Sequence, residues 1–272
     1  MTSQGSLVPT PPSSEGSIEG VVASLPSPTP PPDRTDQVAP LEGRSHVWLI
    51  VGAIVVFVGA GMHLAFDLDR AGSVWFWVYA VVPTLALAVV ALARLARDGE
   101  LRGLLMPAWG DATRGILSTA VLLAGAAAAS HLIAPTGSPR ESWLARLYLQ
   151  IGDPNWLRAH AASTGAVLVV AAAAEEIVWR GLVTRLLAEK VGSRTAWIWA
   201  AIPYALAHLP TVWALRDPEA GLNPVLVLGA LGLGLVWGAL ARQTGRLPPV
   251  ILSHAAFDWV VIMMFRLWGP GL

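Results

Sequence analysis

Three short constellations combine acids, bases and imidazoles at helical spacing: Glu175-Glu176-x-x-x-Arg180, Tyr204-x-x-x-His208 and His254-x-x-x-Asp258. Positions four apart share a helix face, so Glu176 and Arg180 are expected to pair, with the acid N-terminal to the base, the favourable order. Glu175 is turned away from that face. It is expected as an unpaired, partly desolvated carboxylate aimed into the protein, suited to taking a proton from water near neutral pH. By the same spacing Tyr204 lies one turn before His208 on one face, and His254 shares a face with Asp258. All of them fall within apolar stretches. A charge at the bilayer midplane costs about 2.5 to 3.5 kcal/mol on insertion scales, so such groups need partners and a purpose.

The elements that must carry these residues are membrane helices. Hydrophobic residues make up 54% of the chain and charged ones 13%, with a mean hydropathy of +0.57, which is the polytopic membrane range. Basic and acidic residues balance at 18 each, and the basic ones are nearly all Arg, so no nucleic-acid surface is indicated. The absence of Cys excludes disulfides, a thiol nucleophile and thiolate zinc sites. Seven apolar runs predict spans over 47–66, 74–93, 115–134, 161–187, 195–213, 223–241 and 248–268. Residues 135–160 are too polar to span, but Trp143, Leu144, Leu147 and Tyr148 recur at helical spacing, which predicts an interfacial amphipathic helix. The expected fold is all-α, a polytopic bundle of about seven transmembrane helices plus that interfacial helix. His63 and His131, near span ends, are read as interfacial, whereas His208 is expected well inside its span. Gly234 and Gly238 form a small-xxx-small pair and predict close backbone packing.

The order of these stretches suggests three regions. Residues 1–44 are rich in Pro and Ser and predict a disordered cytoplasmic tail. Residues 45–110 hold a transmembrane hairpin and a basic loop, and residues 111–272 the domain with the polar constellations. Seven spans place the termini on opposite sides. With the amino terminus cytoplasmic, Arg34, Arg44, Arg94, Arg97, Arg102, Arg114, Arg185, Lys190, Arg194, Arg242 and Arg246 lie inside, against Arg70, Arg140, Arg146, Arg158, Arg216 and Arg266 outside. That excess favours a cytoplasmic amino terminus. At about 1.5 Å per residue, Glu175, His208 and His254 then stand roughly 22, 20 and 9 Å from the cytoplasmic helix ends, so they can meet in the cytoplasmic half or near the midplane.

The ordered set of EExxxR, YxxxH and HxxxD resembles the CPBP family of intramembrane proteases, which groups CAAX prenyl endopeptidases with bacterial Abi and bacteriocin-processing relatives. The family signature reads EExxxR, FxxxH and HxxxN or HxxxD, and the resemblance covers roughly residues 110 to 268. It implies an all-helical membrane enzyme that cleaves peptide bonds of membrane-associated proteins or peptides in the lipid bilayer. Carried over, Glu175 activates water, while His208 and His254 bind that water or stabilise the tetrahedral oxyanion. Asp258 stands where the prenyl-protease branch has Asn. An ionised Asp cannot donate to an oxyanion, so here it is expected to orient His254 or to remain protonated. Tyr204 replaces the usual Phe, a mild change.

No cofactor is expected from the metal-free form of this chemistry. Zinc is the alternative, because Glu175, His208, His254 and Asp258 match a His and carboxylate ligand set that would activate the same water. A non-catalytic immunity or partner-binding membrane protein, with the same residues as a structural network, is the reading from another class. The composition suggests the inner membrane of a bacterium.

Overall fold

The computed structural model describes residues 46–264 and Leu267, so the tail expected over 1–44 lies outside the described residues. Apart from one isolated bridge between Asp217 and Gly221, the regular structure described is helical. Lipid supplies no hydrogen bonds to the backbone, and a helix pairs its N–H and C=O groups within the segment. In chain order the helices are α1 (His46–Ala65), α2 (Val74–Arg97), α3 (Leu101–Leu105), α4 (Asp111–Ile133), α5 (Glu141–Ile151) and α6 (Pro154–Ala159). They continue with α7 (Ala161–Glu176), α8 (Thr184–Val191), α9 (Ala196–Ala207), α10 (Thr211–Ala214), α11 (Val225–Thr244) and α12 (Pro248–Trp259).

Helices α1, α2, α4 and α11 are long and apolar enough to cross a bilayer. They carry a coat of exposed apolar side chains, including Leu49, Val56, Val121 and Leu132. The chain is an all-α, polytopic membrane protein. The fourth expected span is continuous in path, but a π segment, Ile177–Val183, separates α7 from α8. Its wider turn sets the Thr184 hydroxyl to donate to the Trp179 carbonyl, five residues back, at 2.8 Å. Such segments concentrate at functional sites. The fifth span differs from expectation: α9 ends at Ala207, and His208 is its C-cap, not an interior residue. Pro210 has no N–H with which to continue the ladder, and the chain turns into α10. Helix α12 continues into a second π segment, Val260–Met264. Beyond it only Leu267 is described.

Packing places α9 against α11 and α1, and α12 against α4 and α7. Gly61 lets α1 close on α2, since a Cβ there would stand 2.8 Å from Pro83 Cγ and 2.9 Å from the Tyr79 carbonyl oxygen. Pro83, inside α2, is thus seated against α1. Helix α5 is amphipathic as expected, with Trp143, Leu144 and Tyr148 buried and Leu149 exposed.

Loop contacts define two ends of the bundle. At the first, the Leu247 N–H donates to the Leu104 carbonyl at 2.9 Å, Arg246 pairs with Asp111 at 2.7 Å, and Arg242 donates to the Arg194 carbonyl at 2.6 Å. At the second, the Gln150 amide donates to the carbonyls of Ala65 and Asp67 at 2.8 and 2.9 Å. There Arg146 also pairs with Asp217 at 3.0 Å, and the Asn223 amide donates to the Trp143 carbonyl at 3.0 Å.

Candidate active site

The two glutamates close α7, and Arg180 sits in the π segment that follows. Glu176 and Arg180 are buried and pair at 3.0 Å, as their spacing predicts. A lone guanidinium in such a place would be costly, and this one is shared among several groups. It also donates to the Gly234 carbonyl at 3.2 Å and lies 4.9 Å from the Tyr204 ring and 5.6 Å from the Trp237 ring. Gly234 is closely packed, since a Cβ there would lie 3.1 Å from Tyr204 Cδ1 and 3.3 Å from Ala201 Cβ.

Glu176 Oε1 has a second partner. His254 Nδ1 approaches it at 2.7 Å, and the imidazole stacks on Trp237 with centroids 3.8 Å apart and planes inclined by 22°. Trp237 is anchored by its indole N–H, which donates to the Ser253 hydroxyl at 3.2 Å. The other oxygen, Glu176 Oε2, is buried with no hydrogen-bond partner among the described residues. An Arg-paired carboxylate only accepts, so the hydrogen of the contact belongs to His254 Nδ1. Nε2 then faces Asp258 Oδ2 at 3.5 Å, longer than an ordinary hydrogen bond.

His208 is fixed in the same sense. Its Nδ1 lies 2.9 Å from the Tyr204 carbonyl, which can only accept, so Nδ1 carries the hydrogen and Nε2 is left uncommitted. Both histidines therefore spend Nδ1 on the protein. The Tyr204 hydroxyl reaches the remaining acid and donates to Glu175 Oε2 at 2.9 Å. Glu175 is half-buried, and Oε1 is the oxygen this hydrogen bond leaves for another partner.

Glu175, Tyr204, His208, His254 and Asp258 line one cavity of about 580 Å³. Its other walls are mostly apolar and come from α4, α5, α11, α12 and the second π segment. The arrangement can bind a water at a carboxylate beside two imidazoles in a largely apolar enclosure. The cavity extends toward α5 and the second end of the bundle, away from the end expected to be cytoplasmic. Glu176 and Arg180 stand behind it and hold His254. His63 and His131 are exposed and take no part in this cavity.

Sequence reasoning undervalued Tyr204. Its phenol is the group that holds Glu175, whereas the motif pattern treats it as a substitute for Phe. Trp237 was missed altogether, because nothing in the local sequence of α11 distinguishes a tryptophan beneath an imidazole from one in contact with lipid.

Residues 156–260, from α6 to the start of the second π segment, match the family model described as type II CAAX prenyl endopeptidase Rce1-like. No curated protein and no solved structure matches the chain. The matched stretch contains every polar residue of the site described above, and over those residues the chain is similar to the type II CAAX prenyl endopeptidase Rce1-like family.

Proposed function

We propose that this protein is an intramembrane endopeptidase that hydrolyses peptide bonds of membrane-associated substrates, with Glu175 as general base. The observation that carries the reading is the convergence of Glu175, Tyr204, His208, His254 and Asp258 on one mostly apolar cavity. A water at Glu175 Oε1 gives a proton to that oxygen as its own oxygen attacks the scissile carbonyl carbon, and the C=O π pair moves onto oxygen. His208, through Nε2, accepts from the water's second hydrogen and fixes its direction. His254, when its Nε2 is protonated, donates to the oxyanion, and Asp258 orients that imidazole. Collapse restores the C=O bond, breaks the C–N bond, and passes the proton from Glu175 to the departing amine. Glu176 and Arg180 act as positioning residues through His254. Tyr204 holds Glu175 Oε2, so that Oε1 meets the water.

No step is routed through a metal. We assign catalysis to residues 111–272, with the hairpin and basic loop of 45–110 as its scaffold, in a bacterial cell membrane.

The test compares the amino termini of membrane proteins in cells with and without the chain. The substrate so found is then cleaved by purified protein in liposomes made up in H₂¹⁸O. One ¹⁸O atom in the new carboxylate, with full activity in the presence of a zinc chelator, is the expected result. Loss of activity on chelation, restored by zinc, returns the zinc mechanism. No new termini in cells is the outcome of the non-catalytic reading.

A further inference from the structure

A second cavity, of about 810 Å³, opens at the second end of the bundle and shares no lining residue with the one that holds Glu175. It lies where the last turn of α1 runs into a 3₁₀ turn, Leu68–Arg70, and its other walls come from α5, α10 and the residues just after α10. Helix α1 is long and apolar enough to cross the bilayer and ends at Ala65, so the cavity sits at the boundary between hydrocarbon and headgroups. Part of its lining is apolar and open: Leu68 is 64% exposed and Trp213 50%. An exposed tryptophan beside charged groups is the pairing expected at a membrane interface.

Some of the charges that line this cavity are already satisfied. Arg146 and Asp217 pair at 3.0 Å, and Asp217 also accepts from the backbone N–H groups of Glu219 and Ala220. Asp67 accepts from the Asp69 N–H at 3.1 Å and lies 3.8 Å from Arg70. The Arg216 guanidinium, the Asp69 carboxylate and the His63 imidazole remain, each on an exposed residue and each without a side-chain partner among the described residues. A cation and an anion that line one cavity without pairing leave room between them for a ligand that carries both charges. A guanidinium matches the oxygens of a phosphate, and a carboxylate accepts from an ammonium that bears N–H groups. The volume is that of a small-molecule site, and the apolar lining at the hydrocarbon boundary favours a molecule with acyl chains over one free in water.

We infer that this cavity binds the phosphoethanolamine headgroup of a membrane phospholipid, with the phosphate on Arg216 and His63 and the ammonium on Asp69. A choline headgroup offers no N–H to Asp69, and a glycerol headgroup leaves that carboxylate without a counter-charge. None of these residues takes part in the peptide-bond chemistry proposed above, so binding is measured without cleavage and stands or falls separately from it.

The purified chain, stripped of lipid in detergent, is offered dioleoyl phosphatidylethanolamine, phosphatidylcholine or phosphatidylglycerol, and the retained lipid is counted by native mass spectrometry. Phosphatidylethanolamine is expected to be retained about fivefold above each of the others, the size of one partly exposed ion pair. Arg216→Gln should lower that retention by about the same factor. Asp69→Lys should move the preference to phosphatidylglycerol, a gain that a misfolded variant does not produce. Equal retention of the three lipids overturns the inference, as does a preference for phosphatidylethanolamine that both variants keep. Displacement of the lipid by soluble glycerophosphoethanolamine at equal concentration overturns a membrane phospholipid as the source of the headgroup.

Discussion

The Glu176–Arg180 pair is the sharpest place to perturb the network. Glu176 is fully buried and the Arg180 side chain is 4% exposed, so neither can turn to solvent if its partner is removed. Breaking a buried pair from one side costs about 3 to 5 kcal/mol, because the surviving charge keeps its desolvation penalty. The two sides are unequal. In Glu176→Leu, Arg180 retains the Gly234 carbonyl and two aromatic rings, which sets the expected loss near 3 kcal/mol. In Arg180→Met, Glu176 retains only His254 Nδ1, and the expected loss is near 5 kcal/mol. The double variant Glu176→Leu/Arg180→Met buries no charge from the pair, so it should be more stable than either single variant, by about 2 kcal/mol or more. Unfolding titrations in detergent micelles, followed by helical ellipticity, measure all three. A double variant that costs the sum of the two singles would refute the account of a shared, desolvated pair. The double variant should also recover stability without recovering cleavage, because His254 loses its Nδ1 partner.

Three further expectations follow from the geometry. Tyr204→Phe keeps the ring and the carbonyl that holds His208 but loses the donor to Glu175, a hydrogen bond to a charged acceptor worth about 1.5 to 3 kcal/mol. Steady-state kinetics should show kcat lower by about ten- to a hundredfold with KM nearly constant, and an unchanged kcat contradicts the positioning role. Gly234→Ala places a methyl group 3.1 Å from the Tyr204 ring and should cost about 1 to 3 kcal/mol in the same unfolding titration. Asp217 is held down to about 2 by the backbone N–H groups of Ala220 and Glu219, with Arg146 adding to the effect. Because its folded value lies below the ordinary 3.8, its contribution is present above that value and is lost as pH falls through about 2. The carboxylate infrared band absent from Asp217→Asn should therefore titrate near pH 2, and a midpoint near 4 contradicts the bonding described.

Much of this arrangement was legible in the sequence because membrane burial leaves polar residues few and therefore conspicuous. The i,i+4 spacing of Glu176 and Arg180 was enough to predict their pair and to turn Glu175 toward another face. Helix boundaries were less legible. The apolar run 195–213 reads as one span, but hydropathy cannot register that Pro210 lacks an N–H, and the chain breaks at His208. The π segment after Glu176 leaves no pattern in residue type. The contact between His254 and Glu176 joins residues 78 positions apart, a relation that spacing along the chain does not encode. The direction of the cavity was likewise hidden. Depth along single helices places the site in the cytoplasmic half or near the midplane, and only the assembled walls show that it extends toward α5, away from the end expected to be cytoplasmic.

The central claim is that Glu175 takes the proton from the attacking water, and Glu175→Gln tests it most directly. The substitution keeps the volume and the acceptor for Tyr204 but removes the base. With purified protein in liposomes and a substrate identified in cells, the account predicts a folded variant, matched to the wild type in its unfolding titration, whose cleavage rate falls by a factor on the order of 10² to 10⁴. Cleavage by Glu175→Gln within a few-fold of wild type would contradict it.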